Sequence, residues 1–393
     1  MRIAICALGL AVAACSAVPE PVSVASPQAY VLWPKMQERR AIFYSHAELF
    51  LADPGSGESR GWYNQTVAML GREDLKSLTP PDASWFPKFD CVAGDENAAD
   101  EVIKRAADHT IVILNEDHSE SRHRLFIADV IGRLRQEGFT HYAAEALWPG
   151  AADRPGSETL DADGWYAHDP VLARLLEDVR ASGMTLVEYE QRADQRLPDD
   201  APMEDSIAAR EAAQVSNLVE AVLGTAPDTK IIIHVGHGHV QEVPPEIGHK
   251  WMAARLKETT GIDPLTVEAT ACTLGGTGPA TVREMSRGSD VQPFWTDIVV
   301  RFPELTFTDN RPDYRRTEGM QDIPIPTSLL PEDRSVIIEA RRAGDSDEKV
   351  PIDRLFLRVG ETIPLILPPG AYSIAAFDDT GLVAGPVAVS VAP

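Results

Sequence analysis

Between residues 96 and 275, short apolar runs of strand length alternate with segments of helical period, and this pattern restricts the fold more than any other feature of the chain. The runs are "TIVIL" (110 to 114), "HYAAEAL" (141 to 147), "MTLVEYE" (184 to 190), "KIIIHVG" (230 to 236) and "PLTVEATAC" (264 to 272). Several are apolar at consecutive positions rather than at every second one, so they need cover on both faces. Helices are expected between them. Ile127, Val130, Ile131 and Leu134 recur at i, i+3, i+4 and i+7, with Ser119 as the expected cap. Asp169 is placed to cap a second helix with Pro170 at its first position. Ile207, Val215, Leu218, Val219 and Val222 make one stripe of a third. The alternation predicts an α/β fold, a mainly parallel sheet flanked by helices on both faces, over residues 96 to 325.

The flanks differ in texture. After residue 325, "RSVIIEARR", "ETIPLILPPGAYSIAAFDDTG" and "GPVAVSVAP" carry short strands and Pro-Gly and Asp-Thr-Gly turns without helical period, which predicts a small β-sandwich module over 326 to 393. At the other end, "IAICALGLAVAAC" after Arg2 has the form of a signal peptide over 1 to 14, too short to span a bilayer. "VAAC" is similar to the lipobox of bacterial lipoproteins, which makes Cys15 the expected lipidation site. Residues 15 to 30, rich in Pro, Ser and Ala, read as a tether, and 31 to 95 as an N-terminal region with one helical stretch and a Pro-broken loop. The expected location is the bacterial cell envelope, lipid-anchored and facing the periplasm. That compartment is oxidising, and Cys91 and Cys272 are the two cysteines left to pair there or to stand as separate buried thiols. With 60 acids against 36 bases and a net charge of −24, the chain would repel a phosphate backbone, and no nucleic-acid partner is expected.

Ligand sites in open α/β sheets form beyond the carboxyl ends of the strands. The first run leads into Asn115, Glu116, Asp117 and His118; the second holds Glu145; the third ends at Glu188 and Glu190; the fourth ends at His234, His237 and His239. A carboxylate inside an apolar run, as at Glu145, needs a cation, a histidine or a metal beside it. Arg210 on the third helix is a candidate partner for it or for a substrate carboxylate, whereas Arg122 and His123 open the first helix on an expected solvated face. No Gly-x-Ser-x-Gly elbow, phosphate loop or dinucleotide fingerprint is present. The polar groups therefore favour water activated by His or Glu, or by a divalent metal held by Glu116, His118, Glu145 and His239.

"NEDHSESRHRLF", "AAEAL", "AAREAAQVSNLVEAV" and "HVGHGHV", in this order over residues 115 to 240, resemble the superfamily of erythromycin esterases, ChaN-like haem-binding proteins and TIKI/TraB metalloproteases. The resemblance runs over about 96 to 275, with an extension to 316. It implies that Glu116, His118, Glu145, Arg210 and His239 are catalytic. His123 and His237 would be added as cofactor ligands in a haem-binding member. Asn115 stands where the family carries glycine, and asparagine also accepts positive φ. The leading expectation is an exported hydrolase of a small molecule or peptide. Its rivals are a haem- or metal-binding lipoprotein, holding its ligand through His118, His123, His237 and His239, and a structural envelope lipoprotein.

Overall fold

The computed structural model describes residues 58–76, 93–242, 250–274, 279–283 and 296–393, with a few helical positions between 40 and 48. The expected leader, Cys15, the tether and Cys91 lie outside these residues. Cys272 is disulfide-bonded. No helix among the described residues is long and apolar enough to cross a membrane.

After helix α1 (Glu58–Met69), the chain builds β1 (Ala93–Asn97), α2 (Ala98–Ala106), β2 (Ile111–Glu116), α3 (Ser121–Gln136), β3 (His141–Ala144), α4 (Pro170–Ala181), β4 (Thr185–Val187), α5 (Met203–Leu218), β5 (Ile231–Gly236), α6 (Met252–Thr260), β6 (Leu265–Leu274), β7 (Thr281–Arg283) and β8 (Ile298–Pro303). The eight strands form one sheet in the order β1-β7-β8-β6-β2-β5-β3-β4. The stretch from β8 to β4 is parallel throughout, and β1 and β7 are antiparallel at one edge.

Strand pleating explains the unbroken apolar runs. Val112, Leu114, Tyr142 and Ile232 face a core built with α2, α3 and α4, whereas Ile111, Ile113, Ala143 and Ile233 face a second core built with α5 and α6. Each fully buried aliphatic stabilises the sheet by about 1.5–3 kcal/mol relative to exposure. Asp169 caps α4, its carboxylate accepting from Val171 N–H at 3.0 Å with Pro170 at the first helical position. Ser119 does not cap α3: its hydroxyl and N–H both donate to Asp117 Oδ1, at 2.7 and 2.8 Å, and the N-cap is Glu120.

The C-terminal strands are β9 (Gln321–Ile323), β10 (Val336–Arg342), β11 (Asp353–Leu357), β12 (Leu365–Leu367), β13 (Gly370–Asp378) and β14 (Gly381–Val391). They form an antiparallel sheet ordered β11-β10-β13-β14 and a separate β9-β12 pair, around a core that includes Ile338, Leu355, Leu365 and Ile374. Buried charges tie these strands to the α/β unit. Arg311 donates to both Asp353 oxygens at 2.7 Å, and Arg354 Nη1 donates to the His168 carbonyl at 3.0 Å.

Candidate active site

Strand register gathers the polar groups. Glu116 lies opposite Gly236, and Ala144 opposite His234, so Glu116, Glu145 and the segment from His234 onward emerge side by side at one sheet edge. β2, β5 and β3 are adjacent although β3 precedes β5 in the chain.

Glu116 is buried and surrounded by donors. Arg124 donates to both of its oxygens at 2.7 Å, His118 Nδ1 lies 2.8 Å from Oε1, and His234 Nε2 lies 3.1 Å from Oε2. Burial alone would raise the carboxyl, but the charge on Arg124, with hydrogen bonds from Arg124 and His118, holds it well below the usual carboxylate range. An ionised carboxylate only accepts, which sets both tautomers. His234 donates Nε2–H to Glu116 and accepts the Tyr142 hydroxyl at Nδ1, 2.7 Å away. His118 donates Nδ1–H, leaving a lone pair on Nε2 that has no hydrogen-bond partner among the described residues. Behind this pair Arg124 also bonds Asp169, so two carboxylates share one guanidinium and a net negative charge faces the His118 ring.

The second half is built on Arg210. Its guanidinium pairs with Glu145 and Glu190 and donates Nη1–H to His239 Nε2 at 3.1 Å. Glu145 also accepts Gly236 N–H at 2.5 Å and is held low against burial by the charges of His239 and Arg210 and by a hydrogen bond from Arg210. His239 Nδ1 lies 2.7 Å from Glu211 Oε1, an ion-pair contact off the hydrogen-bond line, and among the described residues neither Glu211 oxygen has an aligned donor. Burial would lower the His239 imidazole, yet Glu145 and Glu211 outweigh it and raise it above the ordinary value. Nε2 also lies 3.7 Å from Glu145 Oε1.

The two halves meet at Gly236. A Cβ there would sit 2.4 Å from His118 Nε2 and 3.2 Å from Glu145 Oε2, so only glycine lets the ring approach this closely. Tyr166 stacks on the His118 ring, with centroids 3.8 Å apart. Glu116, His118, Glu145, Ala146, Tyr166, His234 and Val235 line a cavity of about 10 Å³, room for one water.

Glu116, His118, Glu145, Arg210 and His239 thus come together, and His123 does not. Both Arg122 and His123 are buried rather than solvated, because β8 covers the start of α3: Arg122 reaches the Pro303 carbonyl, and the His123 ring tilts on Phe302. His123 Nδ1 accepts Asp117 N–H at 3.0 Å, and burial lowers its pKa to about 4. His237 lies edge-on to His118 with centroids 5.0 Å apart, and its φ is 39°. The positive φ expected at Asn115 is therefore found at His237, while Asn115 stays in β2. Asn115 donates to the His237 carbonyl and Glu268 and accepts Ala269 N–H, a buried cross-link. Glu188 accepts Gly150 and Ala152 N–H in a neighbouring loop.

The residues do not fit a divalent metal. Guanidinium and N–H donors already occupy the oxygens of Glu116 and Glu145, and among the described residues no group of three or more His, Cys, Asp or Glu could hold an ion. Nor do His118, His123, His237 and His239 share an opening of haem size, since His123 is spent on Asp117 N–H and His239 lies between Glu211 and Arg210.

Arg124, Glu211 and Tyr166 were missing from the sequence-based site, and Glu190 was named there only as a strand end. Arg124 had a signal: it sits three residues before Ile127 on the buried stripe of α3, an arginine among core positions. Glu211 had only its place next to Arg210.

No family model matches the chain, and no curated protein does. Among solved structures it is similar to the type III effector HopBA1, at 14% identity and a TM-score of 0.37, over 56% of this chain and 99% of that one. It is also similar to RRSP, a MARTX toxin effector domain from Vibrio vulnificus CMCP6, at 18% identity and a TM-score of 0.30, over 59% of this chain and 55% of that one. The C-terminal region of Pasteurella multocida toxin matches at 12% identity and a TM-score of 0.31, over 76% of this chain and 36% of that one.

Proposed function

We propose that the chain is a hydrolase of esters or amides of small molecules or peptides, with His118 as general base on water. One observation carries this reading: His118 is held by Glu116 at Nδ1 while its free Nε2 borders a cavity of one-water size. The resemblance of the motif order to that of erythromycin esterases points to the same residues. A water in the cavity loses its proton to Nε2 as its oxygen attacks the carbonyl carbon, giving a tetrahedral oxyanion. The negative charge behind the ring stabilises the imidazolium formed in that step. Return of the proton from Nε2 to the leaving oxygen or nitrogen completes the cleavage.

Arg210 has a narrower role than binding a substrate acid. Two carboxylates already more than offset its charge, and one Nη1–H remains to meet an oxyanion. Glu145, Glu190 and Glu211 outnumber Arg210 and His239, so a neutral or cationic substrate is favoured over an anionic one. The proposal includes the cell envelope as the place of this activity, on the expectation of a lipoprotein-type leader in the sequence.

The test is turnover of a panel of neutral esters and amides by the wild-type chain and by His118→Asn. Asparagine is expected to lower kcat/KM by roughly 10²–10⁴-fold while the melting temperature moves little. Wild-type turnover by the variant would sink the proposal.

A further inference from the structure

The C-terminal strands reach the candidate site through one segment, residues 159–169. On β10, Ile338 and Ala340 point into the sandwich core, and on β11 so do Leu355 and Leu357. Strand alternation turns Ile337, Glu339, Arg354 and Phe356 to the opposite face, toward the α/β unit. Ile337 and Phe356 join Phe43 in a second apolar cluster, and Trp165 and Tyr166 pack against it. The Phe43 ring lies against both Trp165 and His168, with centroids 5.6 and 5.5 Å apart.

Polar contacts fasten the same segment. Leu160 pairs antiparallel with Lys349, and on either side Asp161 N–H donates to the Glu348 carbonyl at 2.9 Å and Val350 N–H to the Thr159 carbonyl at 3.0 Å. Arg354 holds the far end: Nη1–H donates to the His168 carbonyl at 3.0 Å and Nε–H to Glu339 at 2.9 Å. Glu339 also accepts from Arg40 at 2.8 Å and Arg341 at 2.7 Å, so the carboxylate that orients Arg354 is itself fixed. From the α/β side, a Cβ at Gly164 would sit 1.8 Å from the Ala146 carbonyl oxygen, so the segment is seated on the residue after Glu145. Asp169, at its end, pairs with Arg124, the guanidinium that also holds Glu116. Tyr166 is the side chain this frame presents to His118, its ring within 14° of the imidazole plane.

We propose that the C-terminal module is a positioning element for His118, acting through Tyr166. The inference rests on the hydrolase reading, in which His118 takes a proton from water. A single hydrogen bond from Nδ1 to Glu116 leaves the imidazole free to turn about that bond; a parallel arene at 3.8 Å stops the rotation and fixes the direction of the Nε2 lone pair. The face of an arene is also the negative side of its quadrupole, which favours the imidazolium formed as the proton arrives. His237, edge-on to His118, offers no such face. The clamp therefore links residues 337–356 to the general base without any of them bordering the cavity.

NMR of the His118 ring protons and hydrolysis of p-nitrophenyl acetate, both on the full chain, test the assignment. The stacked arene shields those protons. Tyr166→Leu is expected to move them downfield and to lower kcat about tenfold at unchanged KM. Tyr166→Phe, which keeps the stack, is expected to recover most of both effects. Arg354→Met takes the donor from the His168 carbonyl and leaves Glu339 with two arginines. It is expected to shift the His118 protons in the same direction and to lower kcat about fivefold, yet to cost less than about twofold more in a Tyr166→Leu background. Phe356→Leu, which thins the cluster against Tyr166 without touching a charge, is expected to act alike and decides the matter if the arginine variant does not fold. Unmoved His118 protons in both Arg354→Met and Phe356→Leu, a full loss in Tyr166→Phe, or losses that multiply in the double variant would each overturn the proposal. Absence of wild-type turnover would instead end the hydrolase reading, and the proton shifts, which need no substrate, would still decide whether the module holds the stack.

Discussion

Gly236→Ala adds one methyl group and tests the geometry around His118. The backbone there has φ −91° and ψ 147°, an extended conformation alanine adopts freely, so no backbone strain is expected. The new Cβ would sit 2.4 Å from His118 Nε2 and 2.5 Å from Cε1, and ordinary contact at 3.4 Å requires the ring to retreat by about 1 Å. The ring has little room to retreat, with Glu116 Oε1 at 2.8 Å from Nδ1 and Tyr166 stacked at 3.8 Å. Relief therefore stretches or breaks the Glu116–His118 hydrogen bond. That loss bounds the stability cost at about 1.5–3 kcal/mol for a charge-assisted bond, so the variant still folds. A displacement of about 1 Å at a general base is worth about 10²-fold in rate. Thermal melts give the first number and kcat/KM the second. The His118 Nδ1–H proton resonance reports the hydrogen bond without any substrate. Combined with His118→Ala, the glycine change should add no further loss of turnover, because the group it displaces is gone. Wild-type turnover together with an unchanged His118 resonance would refute the reasoning.

Other perturbations separate scaffold from chemistry. Glu116→Gln leaves Arg124 and His234 around a neutral amide and should destabilise the fold by roughly 3–5 kcal/mol in urea titration; a loss below about 1 kcal/mol would contradict the buried ion cluster. Asn115→Ala removes the acceptor of Ala269 N–H and the donor to Glu268, for roughly 2–4 kcal/mol by the same measurement. His123, with a folded pKa depressed to about 4 from 6.5, contributes stability present above pH 6.5 and lost as pH falls through 4. In that window the unfolded chain binds more protons, so stability rises with pH, by roughly 3 kcal/mol across it. His123→Asn, which keeps an acceptor near Asp117 N–H, should flatten the stability profile between pH 4 and 6.5; an unchanged slope would assign the acid sensitivity elsewhere.

Individual residues differ in how far their roles could be read in advance. Asp169 and Pro170 announced a helix start, because capping is a contact between neighbours in sequence. Glu145 stood out as a carboxylate in an apolar run, and its need for a cation is met by Arg210. Ser119 misled, since a serine near a helix start can bond either the helix or the preceding aspartate, and the choice depends on where β2 ends. His123 and Arg122 were expected at the surface because the packing of β8 against α3 has no local signature.

From the sequence alone came the elements and the end of the sheet at which acids and histidines gather, since periodicity, caps and strand direction act over a few residues. Only the tertiary structure decided which of those groups touch. Strand order placed β5 between β2 and β3, bringing Glu116, Glu145 and His234 into one row from positions more than a hundred residues apart in the chain at the extremes. Arg124, shared by Glu116 and Asp169, and the three arginines on Glu339 follow the same rule: a buried charge is held by whichever partner packing delivers, and packing is a property of the whole chain.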